Sequence, residues 1–205
     1  FYHALTKQRR IQNKIVGLHN SGGDWVTSEA EIEGVVVDYF NDLFSTTSPT
    51  DYDEFLNAVP TLIIEDQNRT LTSWASEEEV RSALFMMHPK KAPGPDGMTA
   101  LFFQQAWSII KTYITDMVNE FFRTGSLDER INMTNICRIP KTLRPSRMTE
   151  LRPISLCNVG YKIISKVLCQ RLKKFLPHLI SETQSAFVSG RLISDNILIA
   201  QEMFH

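Results

Sequence analysis

Apolar residues recur at helical spacing over several stretches, and residues that start or stop helices bound each one. Ser28 and Glu31 have the spacing of a capping box, and Ile32, Val35, Val36, Tyr39, Phe40 and Leu43 behind them share one helical face. The polar run Ser45–Thr50 closes that pattern as a loop or linker. Ser76 and Glu79 make a second box ahead of the apolar face Val80, Ala83, Leu84 and Met87. This helix is expected to stop at His88, because Pro89 disfavours helical geometry in the residue before it. Helical spacing resumes from Thr99 to about Phe122, with Gly125 as C-cap. A further amphipathic helix is predicted over 159–176, with Ile164, Val167, Leu168, Leu172 and Phe175 inward. The last pattern (Ile197, Leu198, Ala200, Gln201, Phe204) begins near Ser194 and is unfinished at His205, so the chain is expected to continue.

Between the helices, Asn135–Ile139 and Ile154–Cys157 read as a pair of short strands joined by a loop. Lys90–Gly97 (KKAPGPDG) is incompatible with regular structure, and Pro95-Asp96-Gly97 marks a turn. The predicted fold class is α+β, predominantly helical, with one small strand pair.

Composition refines this picture modestly. The chain is 42% hydrophobic and 22% charged, the proportions of a soluble globular protein. It contains no apolar run of the length that spans a bilayer, so no membrane is expected as a partner. It begins Phe1-Tyr2-His3, without an initiator Met or a leader, which reads as an internal start. Cys137, Cys157 and Cys169 lack metal-ligand spacing and read as buried reduced thiols, which fits an intracellular location, nuclear or cytoplasmic.

Charge changes the picture more, because the formal net charge of −1 hides an asymmetry. Residues 1–80 carry five basic and fourteen acidic side chains, and the remainder carries seventeen basic and nine acidic. Within 130–191 only Glu150 and Glu182 stand against twelve Lys or Arg. Such a block creates a positive field suited to phosphates, and a solvated basic surface fits it as well. Lys162, Lys166 and Lys173 fall on one face of their helix, at spacings of four and seven, as a positive stripe.

No self-contained catalytic motif is present. The five histidines are scattered, and there is no HExxH, GxSxG or Walker-type glycine loop. Four ordered segments carry the chemistry instead. They are Lys91–Gly97 (KAPGPDG), Ile139-Pro140-Lys141, Leu151–Leu156 (LRPISL) leading into Tyr161–Lys166, and Gln184–Val188 with Gly190-Arg191 and Asp195–Leu198. Together they resemble the upstream reverse-transcriptase motifs of LINE-type (non-LTR) retrotransposons, particularly those of plants. Phe1-Tyr2-His3, Arg9-Arg10, Asn13 and the 34–44 stretch resemble the segment joining endonuclease and polymerase in such elements.

The resemblance implies a helical linker or upstream region over 1–75, then a truncated fingers region of a right-hand polymerase fold over 76–205. It implies an RNA-directed DNA polymerase that copies element RNA into DNA. The expected partners are an RNA template, a DNA primer, a deoxynucleoside triphosphate and the remainder of the polymerase and endonuclease polypeptide. Lys141 and Arg152 look like the contacts to the triphosphate, where a point charge and a guanidinium fork suit phosphate oxygens. Lys90 and Lys91 become template contacts, although a purely structural turn fits too. Gln184, Phe187, Gly190 and Arg191 match the segment near template and primer, with Phe187 itself read as core. Lys162 and Lys166, read from the lysine stripe and not from the resemblance, complete the nucleic-acid set, and a solvated helix face fits that stripe too.

The Mg²⁺-binding aspartates of the family are expected beyond His205. No cofactor is therefore expected in this stretch, and it is predicted to be inactive alone. Arg138 departs from the family pattern, which has an apolar residue before Ile-Pro-Lys. A buried unpaired charge there would cost several kcal/mol, so either Arg138 reaches solvent or the element copy is degenerate. The alternative function is a non-enzymatic, retroelement-derived nucleic-acid-binding or interaction domain.

Overall fold

The computed structural model describes residues 2–48, 50, 52–186 and 188–203. The Phe187 and Phe204 readings lie outside these residues. The expected α+β, predominantly helical class is what the structure shows: helices dominate, and the strands form two small two-stranded sheets. Contacts divide the chain into two compact units, residues 1–57 with 135–156 and residues 58–134 with 157–205. That division groups the second strand pair with the N-terminal segment, whereas the family resemblance drew its boundary at 75/76.

The first unit holds α1 (Tyr2–Gln12), the ribbon β1 (Leu18–His19) and β2 (Trp25–Val26), α2 (Glu29–Phe44) and α3 (Asp53–Ala58). Ser28 caps α2 as expected: the Glu31 amide donates to its Oγ at 3.4 Å, and the hydroxyl donates to the Glu31 carboxylate at 2.5 Å. The box thus closes through the hydroxyl. Leu18 pairs with Val26 in the ribbon and sits in a small core beneath Ile32, Val35, Val36, Tyr39 and Phe40 of α2.

The second unit begins with α4 (Glu65–Thr72), α5 (Glu77–Phe85), α6 (Ala100–Gln105), α7 (Trp107–Thr124) and α8 (Glu129–Asn132). Beyond the second strand pair it continues with α9 (Val159–Lys173), α10 (Leu176–Leu179) and α11 (Ile193–Met203). Ser76 caps α5, accepting from the Glu79 amide at 3.2 Å. Helix α5 ends ahead of Pro89, where the Gln104 amide donates to the Leu84 and Met87 carbonyls at 3.1 and 3.0 Å. The single helix expected from Thr99 is broken at Ala106, and Gly125 closes α7 with its N–H on the Phe121 carbonyl.

Val80, Ala83 and Leu84 of α5, Val118 of α7 and Val159, Ile163, Ile164 and Val167 of α9 form one core. Burying each of these Val, Leu and Ile chains contributes about 1.5–3 kcal/mol. One inward position was misread: Leu172 is 40% exposed, and Arg171, one turn after Val167, points inward in its place.

The second strand pair is β3 (Thr134–Pro140) and β4 (Leu151–Cys157), longer than expected but in the predicted partnership. On β3, Ile136 and Arg138 alternate as half-buried residues with exposed Cys137 and Ile139. Arg138 therefore keeps a route to solvent. The expectation of buried thiols fails for Cys137 and Cys169, which are exposed on β3 and α9; Cys157 is half-buried. Their positions place them on outward faces of a two-stranded sheet and an amphipathic helix, which offer too little cover. No described helix is long and apolar enough to cross a membrane.

Candidate nucleic-acid interface

The KAPGPDG loop is held by backbone geometry and one buried side chain. Pro95 and Asp96 occupy the centre of a turn in which the Gly97 amide donates to the Gly94 carbonyl at 3.1 Å. Asp96 accepts from the Met98 amide at 2.9 Å, and Gly97 then takes φ +72°, where a side chain is disfavoured. Gly94 is required by closeness: a Cβ there would lie 2.3 Å from the Asn158 side chain.

Asn158 stands just ahead of α9 and is 6% exposed. Its carbonyl oxygen accepts from the Asp96 amide at 3.2 Å, and its amide nitrogen donates to the Arg130 carbonyl at 2.9 Å. One amide thus joins the loop, the end of α8 and the start of α9. Nothing in the sequence marked Asn158, because an Asn beside an apolar run reads equally well as a plain helix cap.

This tethering brings three of the predicted lysines together. Lys91 from the loop and Lys162 and Lys166 from α9 line one cavity of about 280 Å³, together with His88. The Lys162 ammonium donates to the Ala92 carbonyl at 3.3 Å, a long contact. His88 Nδ1 accepts from the Lys90 amide at 3.2 Å, so its proton resides on Nε2. Lys90 itself is exposed and lies outside the cavity lining. Lys173 lines a neighbouring groove beside Lys174 and Cys169, and Lys166 lines that groove as well as the cavity.

Lys141 and Arg152 both sit at the loop end of the β3–β4 pair, in the other unit. Lys141 is exposed, and its ammonium donates to the Thr149 carbonyl at 2.7 Å. Arg152 is exposed on β4, and its guanidinium makes no side-chain hydrogen bond or ion pair among the described residues. The loop between the strands is organised by Glu150, whose carboxylate accepts from the Ser146 amide at 2.7 Å and the Arg147 amide at 3.4 Å. The Ser146 bond is the main cause that holds the Glu150 carboxyl below its ordinary value, against a smaller opposing effect of burial. The Ser146 carbonyl accepts from the His19 amide at 2.8 Å, which fixes the loop to β1.

The remaining predicted pair serves its own loop. Arg191 donates to the Ser181 and Gln184 carbonyls, the latter at 2.7 Å, so its guanidinium closes the segment between α10 and α11. Gln184 is exposed, and its amide donates to the Ala186 carbonyl at 3.4 Å. The structure thus gathers Lys91, Lys162 and Lys166, places Lys141 with Arg152 separately, and leaves Lys90, Gln184 and Arg191 outside both groups.

Arg171, in the middle of the basic block, is the largest surprise. It is 4% exposed and makes a forked pair with Glu79, Nε and Nη2 lying 2.7 and 2.8 Å from the two carboxylate oxygens. Nη1 donates to the Leu71 and Ser73 carbonyls at 3.0 and 2.6 Å, and the guanidinium lies 4.4 Å from the centre of the Phe122 ring. This cation contributes to the fold and subtracts from the surface field. Counting charges along the chain did not reveal it, because its partner Glu79 lies 92 positions away.

Among the described residues no group of three or more His, Cys, Asp or Glu could hold a metal ion. These residues do not fit the Mg²⁺ pair that the family resemblance implies, and no step through that ion is assigned to them.

No protein-family model matches the chain. It is similar to a protein of Xenopus laevis described as transposon TX1 uncharacterized 149 kDa protein, 28% identical over 207 residues. The match covers 100% of this chain and 16% of that protein. The chain is thus related, along its whole length, to a small part of a transposon protein.

Proposed function

We propose that this chain is the fingers-side part of the reverse transcriptase of a LINE-type retrotransposon, and that its own task is to hold nucleic acid and nucleotide. The observation that carries the reading is the convergence of Lys91 with Lys162 and Lys166. These residues come from two of the ordered segments that resemble the family, 71 positions apart between Lys91 and Lys162. Three ammonium groups on one cavity suit phosphate oxygens as point charges. The kinship with a transposon protein over the full chain supports the same reading. Lys141 and Arg152 are assigned to the triphosphate: Arg152 is free to meet it, and Lys141 exchanges its bond to the Thr149 carbonyl for a phosphate oxygen. Catalysis with Mg²⁺ belongs to aspartates elsewhere in the longer polypeptide.

The test is binding of the purified chain to a labelled RNA–DNA primer-template across a salt series. Affinity is expected to fall steeply with salt, with a slope that reports the number of phosphates neutralised. Lys141→Ala/Arg152→Ala should leave that slope unchanged, consistent with a nucleotide role. No binding at low salt by the folded chain would overturn the proposal.

A further inference from the structure

We propose that the Lys91/Lys162/Lys166 cavity is a pocket for a single unpaired nucleotide of a single-stranded segment, with phosphate at its rim and base against its floor. This inference rests on the nucleic-acid reading above and narrows it. A surface that holds a duplex needs only cations spaced along the backbone, because paired bases are turned away from the protein. This site has more than that. Between the lysines lies a concave apolar floor made of Met87, Ala100 and Val159, with the exposed Ala92 at its edge. An apolar hollow of this kind does nothing for a phosphate, but a base removed from the stack gains from it.

Size narrows the occupant further. At about 280 Å³ the cavity falls just below the ~300–1,000 Å³ usual for small-molecule sites. That scale suits one nucleotide better than a base pair. The polar groups match a nucleotide as well. Lys162 is held to the Ala92 carbonyl only by a 3.3 Å contact, which an anionic oxygen would displace at little cost. With Nδ1 taken by the Lys90 amide, His88 keeps Nε2 for a base or sugar oxygen. The two loop contributors, Lys91 and Ala92, are positioned by the Gly94–Asn158 packing, so the pocket wall is built before any strand arrives.

The experiment compares a labelled uridine oligoribonucleotide with a blunt RNA–DNA hybrid of equal length, by fluorescence anisotropy. The variants are Ala92→Leu, which fills the hollow and keeps every charge, and Lys162→Gln/Lys166→Gln, which keeps the hollow and removes two charges. Circular dichroism confirms folding of each. Ala92→Leu is expected to weaken the single strand about tenfold, the scale of one lost base contact, and to leave the hybrid unchanged. The lysine pair should weaken the single strand and lower its salt slope by about 1.4. Equal effects of Ala92→Leu on both probes, or no effect on either, would overturn the pocket. In that case wild-type binding that the lysine pair still weakens would leave the broader nucleic-acid reading standing. If the wild-type chain binds neither probe at low salt, both fall together.

Discussion

The two units of this chain rest on different physical foundations. Among the described residues, the unit of 58–134 and 157–205 gathers eleven buried side chains into one cluster, against three in the unit of 1–57 and 135–156. The larger cluster is contributed by long helices, so each added turn adds apolar area. The smaller depends on two-residue strands and a tethered loop, where main-chain hydrogen bonds to Glu150, Lys141 and His19 do much of the positioning. Both units carry proposed functional cations, yet only in the unit of 58–134 and 157–205 is the support of those cations an extensive packed core. The lesson is that a basic side chain has a fixed aim where helices are buried beneath it, and a conditional one where a loop holds it.

The comparison breaks most readily at Arg171. Arg171→Ala leaves Glu79 without its partner and frees the Leu71 and Ser73 carbonyls. Removing one member of a buried ion pair costs about 3–5 kcal/mol. Urea unfolding of the variant should show a loss of that size, and a loss below about 1 kcal/mol would remove Arg171 from the foundations of its unit. A smaller and more local effect is expected from Leu18→Ala, which deletes one of the few buried residues of the other unit. The cost should be about 2–5 kcal/mol. Hydrogen exchange should show it as faster exchange confined to β1, β2, α2 and the 141–150 loop, with α5, α7 and α9 unchanged. Acceleration spread evenly over the chain would mean that the two units unfold as one.

The smallest effect concerns acid. Both Asp128 and Glu150 have carboxyls held below their ordinary values, Asp128 from 3.8 to about 2, mainly by its side-chain hydrogen bond to Arg130. A depressed folded value means stability that is complete above the ordinary value and is lost as pH falls through the folded one. For Asp128 the window is about pH 4 down to 2. The exposed Asp128–Arg130 pair is worth little, whereas Glu150 orders a loop. Acid titration from pH 4.5 downward should therefore loosen the 141–150 loop before the helices around α8. Glu150→Gln should blunt that pH dependence, and an unchanged acid profile in the variant would remove Glu150 from the account.

Much of this was legible in the residue pattern, for identifiable reasons. Ser28 and Ser76 were readable as caps because N-capping is local, and Pro89 and Gly125 because their backbone limits are intrinsic. The β3–β4 partnership was readable from β-rich runs either side of a loop. The illegible features depend on distant partners. Arg171 and Glu79 are 92 positions apart, and Asn158 and Asp96 are 62 apart. Short helices such as α3, α4 and α8 left no periodicity to read. The cavity was half legible: the spacing of Lys162 and Lys166 placed them on one face, but only the fold of the KAPGPDG loop adds Lys91 to them.

The exposed thiols of Cys137 and Cys169 fall one to each unit, on β3 and α9. With Cys157 replaced by Ala, the chain carries a natural pair of attachment points for a donor and an acceptor dye. Energy transfer between them would follow, in solution and in real time, whether the distance between those two positions changes when a strand and a nucleotide are added together.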